Sequence, residues 1–252
     1  MVITGNSDSR DITSVRGRTI IVTGAGRGNG HAIATGLSQY GATVYGLDLA
    51  FAAGESPFTL VHCDLTDERA VTTALGTIVA ANRPLDGLVN NAGISLPPEN
   101  CYSRETFERT MAVNALAPLR LSWMTAEIMK RQSSGAIVNI TSLGAVVGFP
   151  NNPAYQASKA ALRQITKAMA VDYGQYGIRV NSISPGYMRT DMTKGTFNDP
   201  EARAIRSQRM ILDRWGEPTD LVGACLFLLS DASAYVTGID LPVDGGWLAK
   251  GL

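Results

Sequence analysis

Tyr155 and Lys159 stand four residues apart in PAYQASKAAL, and Ser142 precedes them in NITSLGA. Four residues is about one helical turn, so on a helix the phenol and the ammonium share a face, roughly 6 Å apart. Such a pair suits hydride exchange between a secondary alcohol and a ketone. Reduction needs a proton donor beside the carbonyl oxygen, and oxidation needs a base there. Free tyrosine, with a pKa of about 10, is a poor base at neutral pH. A neighbouring ammonium favours the phenolate and lowers that pKa. The Ser142 hydroxyl can orient the substrate oxygen while Tyr155 exchanges the proton. Residue types alone do not establish this triad, because tyrosines at helix starts are more often structural and lysines usually face solvent.

A hydride carrier is signalled earlier in the chain. TGAGRGNG places Gly24, Gly28 and Gly30 between the strand-like run RTIIVT and a segment of helical spacing at 31–40. Glycine there lets the chain turn sharply and lets its backbone approach a pyrophosphate, which the helix N-terminus attracts. Asp48 ends the next strand, TVYGLD, eighteen residues after Gly30. A carboxylate at that point accepts hydrogen bonds from adenosine ribose hydroxyls and repels a 2′-phosphate, which favours NAD over NADP. Leu49 supplies no compensating cation. Arg27 pulls the other way, since a guanidinium beside the glycines can pair with a 2′-phosphate; the carboxylate is the stronger determinant.

The elements that must position these groups follow a regular alternation. Strand-like runs RTIIVT, TVYGLD, FTLVHCD, DGLVN, GAIVNIT, IRVNSIS and GIDLPV are separated by helix-length segments near 66–81, 104–131, 153–174 and 218–229. That pattern predicts a Rossmann-type three-layer α/β sandwich with a mostly parallel seven-stranded sheet. Residues 1–16 are expected to be a flexible tail and 17–252 a single domain. Residues 187–216 interrupt the alternation and carry Met188, Met192, Phe197, Met210 and Ile211, with Trp215 and Gly216 expected to dock the segment to the core.

The totals agree with a compact enzyme. The 252 residues are 45% hydrophobic and 17% charged, with 26 glycines and 22 residues of each charge sign. A balanced charge with no basic-aromatic runs argues against nucleic-acid binding. Cys63, Cys101 and Cys225 are too scattered for a disulfide framework or metal cluster and are expected to be inert thiols. His31 and His62 are isolated, with His31 expected to be solvated or packed and His62 in the core or cleft wall. No metal is expected. No apolar run reaches membrane-spanning length and no signal peptide is evident, so a cytoplasmic enzyme is the expectation.

The order and spacing of the motifs identify the chain as resembling the short-chain dehydrogenase/reductase family, from Arg18 to about Trp247. The likeness lies in TGAGRGNG, CDLTD at 63–67, NNAG at 90–93, Asn114 in MAVNALAPLRLS, NITSLGA, YQASK at 155–159 and SPGYMRTDM at 184–192. It implies that Tyr155 is the acid/base and Ser142 the substrate-oxygen donor. Lys159 would bind the nicotinamide ribose and lower the tyrosine pKa, and Asn114 would hold a water in a relay through Lys159. Asp64, with Leu65, would meet the adenine, and Asn90, Asn91, Ala92 and Gly93 would floor the cofactor cleft. Pro185, Gly186, Met188 and Thr190 would line the nicotinamide side. Asn29 stands where the family usually has an aliphatic residue, which bears on the pyrophosphate contacts.

The resemblance also implies a homotetramer, or alternatively a dimer, with helices 104–131 and 153–174 and a Trp247 anchor at the contacts. It implies a mobile substrate loop at 187–216 and a cleft wall of Ile94, Ser95, Leu96, Gly144, Asn152 and Tyr187. The polar members favour a polyol, a sugar derivative or a small cyclic alcohol, oxidised by NAD. Met188, Met192 and Phe197 could instead cover a steroid, and a 3-oxoacyl thioester is a further alternative. No arginine pair is evidently placed for a substrate carboxylate. Outside this class stand a dinucleotide-binding regulator, which would not need Asn114, Ser142, Tyr155 and Lys159 together, and an epimerase or dehydratase, whose C-terminal substrate region would be larger.

Overall fold

In the computed structural model, residues 11–81, 83–96 and 102–250 are described. The apolar runs form strands β1 (Thr19–Thr23), β2 (Thr43–Asp48), β3 (Thr59–His62), β4 (Gly87–Asn90), β5 (Gly135–Ile140), β6 (Ile178–Pro185) and β7 (Asp240–Val243). They build one seven-stranded sheet in the order β3-β2-β1-β4-β5-β6-β7. Each neighbouring pair is parallel. β1 and β4 are buried at each of their residues, as expected for strands covered on both faces.

Helices α1 (Gly28–Gln39) and α8 (Asp220–Leu229) cover one face. There Ile20 and Val22 pack with Ile33, Leu37, Leu221 and Cys225. Helices α2 (Glu68–Ala80), α4 (Ala117–Gln132) and α5 (Pro153–Tyr173) cover the other, where Ile21 and Leu88 meet Leu75, Leu121, Met129 and Met169. Alternate residues of β1 thus feed opposite cores. The strand order reverses between β1 and β4, and that switch point opens a crevice beyond the carboxyl ends of the strands.

Three regions differ in detail from the sequence reading. The expected helix at 104–131 is α3 (Arg104–Met111), a π-helical turn at Ala112–Leu116, and α4. A one-turn widening hardly disturbs apolar periodicity, which is why it is invisible in the sequence, yet it carries Asn114. The 187–216 insertion folds as short helices α6 (Lys194–Asn198) and α7 (Pro200–Ser207). Finally, the expected flexible tail is not loose throughout. Val15 is fully buried in the α1–α8 core, and Ile12 O accepts from Ala232 N at 2.8 Å. The remainder of that tail, residues 1–10, lies outside the described residues, as does Cys101. Among the described residues no helix is long and apolar enough to cross a membrane.

Candidate active site

The chain leaves β5 at Ile140 and turns through Ser142, whose hydroxyl accepts from Gly144 N at 3.1 Å and caps a short 3-10 turn at Leu143–Ala145. Pro153 opens α5, where a fixed φ is already helical and no donor is lost. Tyr155 therefore sits in the first turn and Lys159 one turn later. Lys159 is buried, its Nζ donates to Ile140 O at 2.8 Å, and it lies 5.8 Å from the Tyr155 ring centroid. The Ser142 hydroxyl lies close enough to the Tyr155 phenol to favour its ionised form. Serine, tyrosine and lysine thus converge as their spacing suggested.

The electrostatics depart from expectation. Burial pushes the Tyr155 phenol above its ordinary value, and the Ser142 hydroxyl opposes that rise. Burial also lowers Lys159 from 10.5 to about 8. Desolvation disfavours the charged form of each group, so the protein surroundings do not produce the expected low tyrosine pKa. Near neutral pH both groups are protonated, which suits proton donation to a forming alkoxide.

Asn114 faces this pair from the π-helical turn, but its side chain is committed. Its Oδ1 accepts from Ile94 N at 2.8 Å, while Nδ2 donates to Ile94 O at 2.9 Å and Ser158 Oγ at 3.1 Å. It therefore ties the chain after β4 to α5. A Cβ at Gly93 would stand 3.3 Å from both Asn114 Oδ1 and Lys159 Nζ, so a side chain there would crowd both groups.

On the dinucleotide side, Gly24 has φ +67, and a Cβ there would lie 2.8 Å from Ala92 Cα. A Cβ at Gly30 would lie 2.0 Å from Gly24 O. The turn is too tight for side chains at either position. Arg27 makes no side-chain cap to α1, and the helix's first turn holds no acid. Unsatisfied N–H groups and the positive dipole end thus fit a pyrophosphate. Thr190 leans over this turn, its Cγ2 3.7 Å from where a Gly28 Cβ would be. Asp48 Oδ2 accepts from Gly26 N at 2.8 Å and Oδ1 from Leu49 N at 2.7 Å, leaving further lone pairs for ribose hydroxyls. These residues fit a dinucleotide, which would supply the hydride acceptor or donor. Gly26 and Thr23 were missed in the sequence reading. Thr23 Oγ1 accepts from Asn91 N and Ala92 N at 3.0 and 3.1 Å, and Asn91 Nδ2 donates to Thr23 O at 3.0 Å.

Other candidates fall differently. Asn90 is no cleft floor: it points into the core and donates to Ser122 Oγ and Asn139 Oδ1. Leu65 is buried, and its carbonyl accepts from Arg120. Asp64 Oδ1 accepts from the Thr66 hydroxyl and N–H, which hold the carboxyl below its usual value. His62, expected in the core or cleft wall, is exposed with its ring 5.2 Å from Phe51. Asn29 Oδ1 is buried without a partner. Burial raises both Cys63 and Cys225, the latter to about 12.

The substrate side joins four distant segments. Asn152 Nδ2 donates to Ser95 Oγ at 3.0 Å. Gln156, another residue the sequence reading missed, clamps the loop before α5 through both backbone groups of Phe149, each at 2.7 Å. The Tyr187 ring packs against Phe149, Trp215 and Trp247 at 6.1, 5.2 and 6.3 Å. Trp247, expected as a subunit anchor, is therefore used within its own chain. Met188 is buried and bridges to Gly216, so its side chain does not cover the cleft; Gly186 approaches Asp244 closely beside it. Arginines are also present where none were anticipated, Arg206 lying 5.4 Å from the Tyr187 centroid.

A parallel sheet with a glycine turn at its switch point and a Ser-Tyr-Lys set facing the same crevice defines a nucleotide-dependent dehydrogenase or reductase. The family model described as enoyl-(acyl carrier protein) reductase matches residues 24–248. The chain belongs to the short-chain dehydrogenase/reductase family and is an NAD(P)-linked oxidoreductase. It is 37% identical to cyclopentanol dehydrogenase of Comamonas sp., with 94% of this chain and 99% of the relative covered. Gluconate 5-dehydrogenase of Gluconobacter oxydans is also 37% identical, covering 94% and 96%. A solved gluconate 5-dehydrogenase from Burkholderia cenocepacia, in complex with NADP and tartrate, superposes with a TM-score of 0.88 at 30% identity, covering 95% and 98%.

Proposed function

We propose that this enzyme oxidises a polyol, a sugar derivative or a small cyclic secondary alcohol with NAD. Tyr155 is the acid/base, Ser142 orients the substrate oxygen, and Lys159 holds the nicotinamide ribose. The observation that carries this reading is the buried Lys159 ammonium one turn from Tyr155, 5.8 Å from its ring centroid, with the Ser142 hydroxyl acting on the phenol. The Ser95–Asn152 pair offers substrate hydroxyls polar partners, with Ile94, Leu96 and Gly144 bounding the site. A site that pairs hydroxyls rejects analogues lacking them. The relatives' names support the same class. Met188 facing inward removes one argument for an apolar ketone.

NAD preference rests on Asp48, held at the end of β2 by Gly26 and Leu49. Arg27 is 82% exposed and 3.9 Å from Asp191, so it gives a 2′-phosphate little to offset that carboxylate. Asp64, Ala92 and Gly93 line the cofactor cleft in this reading, with Pro185, Gly186 and Thr190 opposite. A screen of polyols, aldoses, cyclic alcohols, hydroxysteroids and 3-hydroxyacyl thioesters, run with NAD and with NADP, tests both halves. Turnover is expected in the first three groups, with the higher kcat/KM for NAD. Turnover confined to the last two groups overturns the substrate class, and a clear NADP preference overturns the reading of Asp48.

For assembly we propose a homotetramer, with a dimer as the alternative. Leu116, at the end of the π-helical turn, and Leu119 and Trp123 on α4 are exposed at one-turn spacing, an apolar stripe suited to a symmetric contact. Sedimentation at working concentration is expected to show the tetramer, and a monomer contradicts it.

A further inference from the structure

Beside the reacting groups, the aromatic cluster holds two buried donors that no protein group satisfies. Arg206, half-buried on α7, has its guanidinium 5.4 Å from the Tyr187 centroid. Its Nη1 donates to Ala202 O at 3.2 Å, but its Nε is buried without a partner. Trp247 is nine-tenths buried with its ring 6.3 Å from the same tyrosine, and its indole Nε1 is also unpartnered. Leaving such donors unsatisfied is costly, which makes them informative about a ligand. Among the described residues no carboxylate pairs with Arg206, nor with Arg203 or Arg209 one turn to either side. Arg203 lies 5.4 Å from Phe197 and Arg209 5.2 Å from Trp247. Three arginines at three-residue spacing therefore line one edge of the aromatic cluster.

This edge is connected to the catalytic groups by short steps. Tyr187 follows the end of β6 and packs on Phe149. A Cβ at Gly144 would lie 3.6 Å from Phe149 Cδ2 and 3.5 Å from Ser142 Oγ. The unsatisfied donors are all N–H groups, one of them cationic, so their complement is an anion with two acceptor oxygens. We propose that Arg206 and Trp247 bind a carboxylate at the end of the substrate remote from the reacting carbon, so that the preferred alcohol is a hydroxylated carboxylic acid. This proposal rests on the reading above that a polar secondary alcohol is oxidised in this cleft.

D-Gluconate and D-glucitol test it, because they share a hydroxylated chain and differ in the charged end. The wild-type enzyme is expected to favour gluconate in kcat/KM by at least about tenfold, with the preference shrinking as salt rises. Arg206→Met brings the ratio close to one, Arg206→Lys keeps part of it, and Trp247→Phe lowers it while preserving the ring. A wild-type enzyme without preference, or a ratio indifferent to Arg206→Met, overturns the proposal while leaving polyol oxidation intact. If neither compound is oxidised, the functional reading is at fault, and calorimetry of gluconate with the NADH-loaded protein decides. Binding lost in Arg206→Met upholds the carboxylate site; absent binding, or binding unchanged by the variant, overturns it.

Discussion

Tyr155→Phe is expected to reduce turnover by about 10²-fold or more in both directions while NADH binding stays largely intact. The figure is that of one positioned proton donor, about 2.7 kcal/mol of barrier at 1.36 kcal/mol per decade. The substitution removes only the hydroxyl, so the ring keeps its place in the first turn of α5. Ser142 keeps its hydrogen bond from Gly144 N and so keeps its orientation. What is lost is the proton donated to the forming alkoxide or taken from the alcohol. Steady-state rates in both directions, with NADH fluorescence titration as the control for folding and cofactor binding, check this. Near-wild-type turnover would remove Tyr155 from the mechanism.

The pairing of Tyr155 with Lys159 was legible because helical spacing is a local property: a one-turn separation puts them on one face whatever the tertiary fold. The glycine turn and Asp48 were legible for a similar reason, since each marks the carboxyl end of a strand. Side-chain direction was not legible where several segments meet. Nothing local shows that Met188 turns inward to Gly216 while its neighbour Tyr187 joins the aromatic cluster. Tyr187, Arg206 and Trp247 are brought together by the closure of the 187–216 insertion onto the chain after β7, so the arginine row had no signature beyond its three-residue spacing. The pKa ordering was misjudged because sequence shows that an ammonium is near a phenol but not that both are buried. Asn114 is singled out through the family resemblance as a water-holding residue, whereas its tie to Ile94 and Ser158 depends on a π-helical turn the periodicity conceals.

Lys159→Met separates the roles of the lysine that the geometry brings together. In the proposed mechanism, ketone reduction needs Tyr155 protonated and Lys159 charged to hold the ribose. Burial raises the phenol and lowers the ammonium to about 8, so both conditions are met below that pH. Reduction kcat/KM in the wild type is therefore expected to be flat below pH 8 and to fall above it. The variant is expected to lose that alkaline fall, to weaken NADH binding, and to turn over about 10²-fold more slowly throughout. Misfolding would not explain such a loss. A lysine whose folded pKa is depressed from 10.5 to about 8 destabilises the protein fully below the folded value, and the penalty disappears as pH rises towards the unfolded value. Removing the charge at pH 7 returns about 3 kcal/mol, against about 1–3 kcal/mol for the Ile140 carbonyl left without its donor. Thermal melts at pH 7 should accordingly show Lys159→Met no less stable than wild type, with the difference shrinking by pH 10. An alkaline fall that persists in the variant would assign that limb to another group, and unchanged NADH binding would leave Lys159 with only its electrostatic effect on Tyr155.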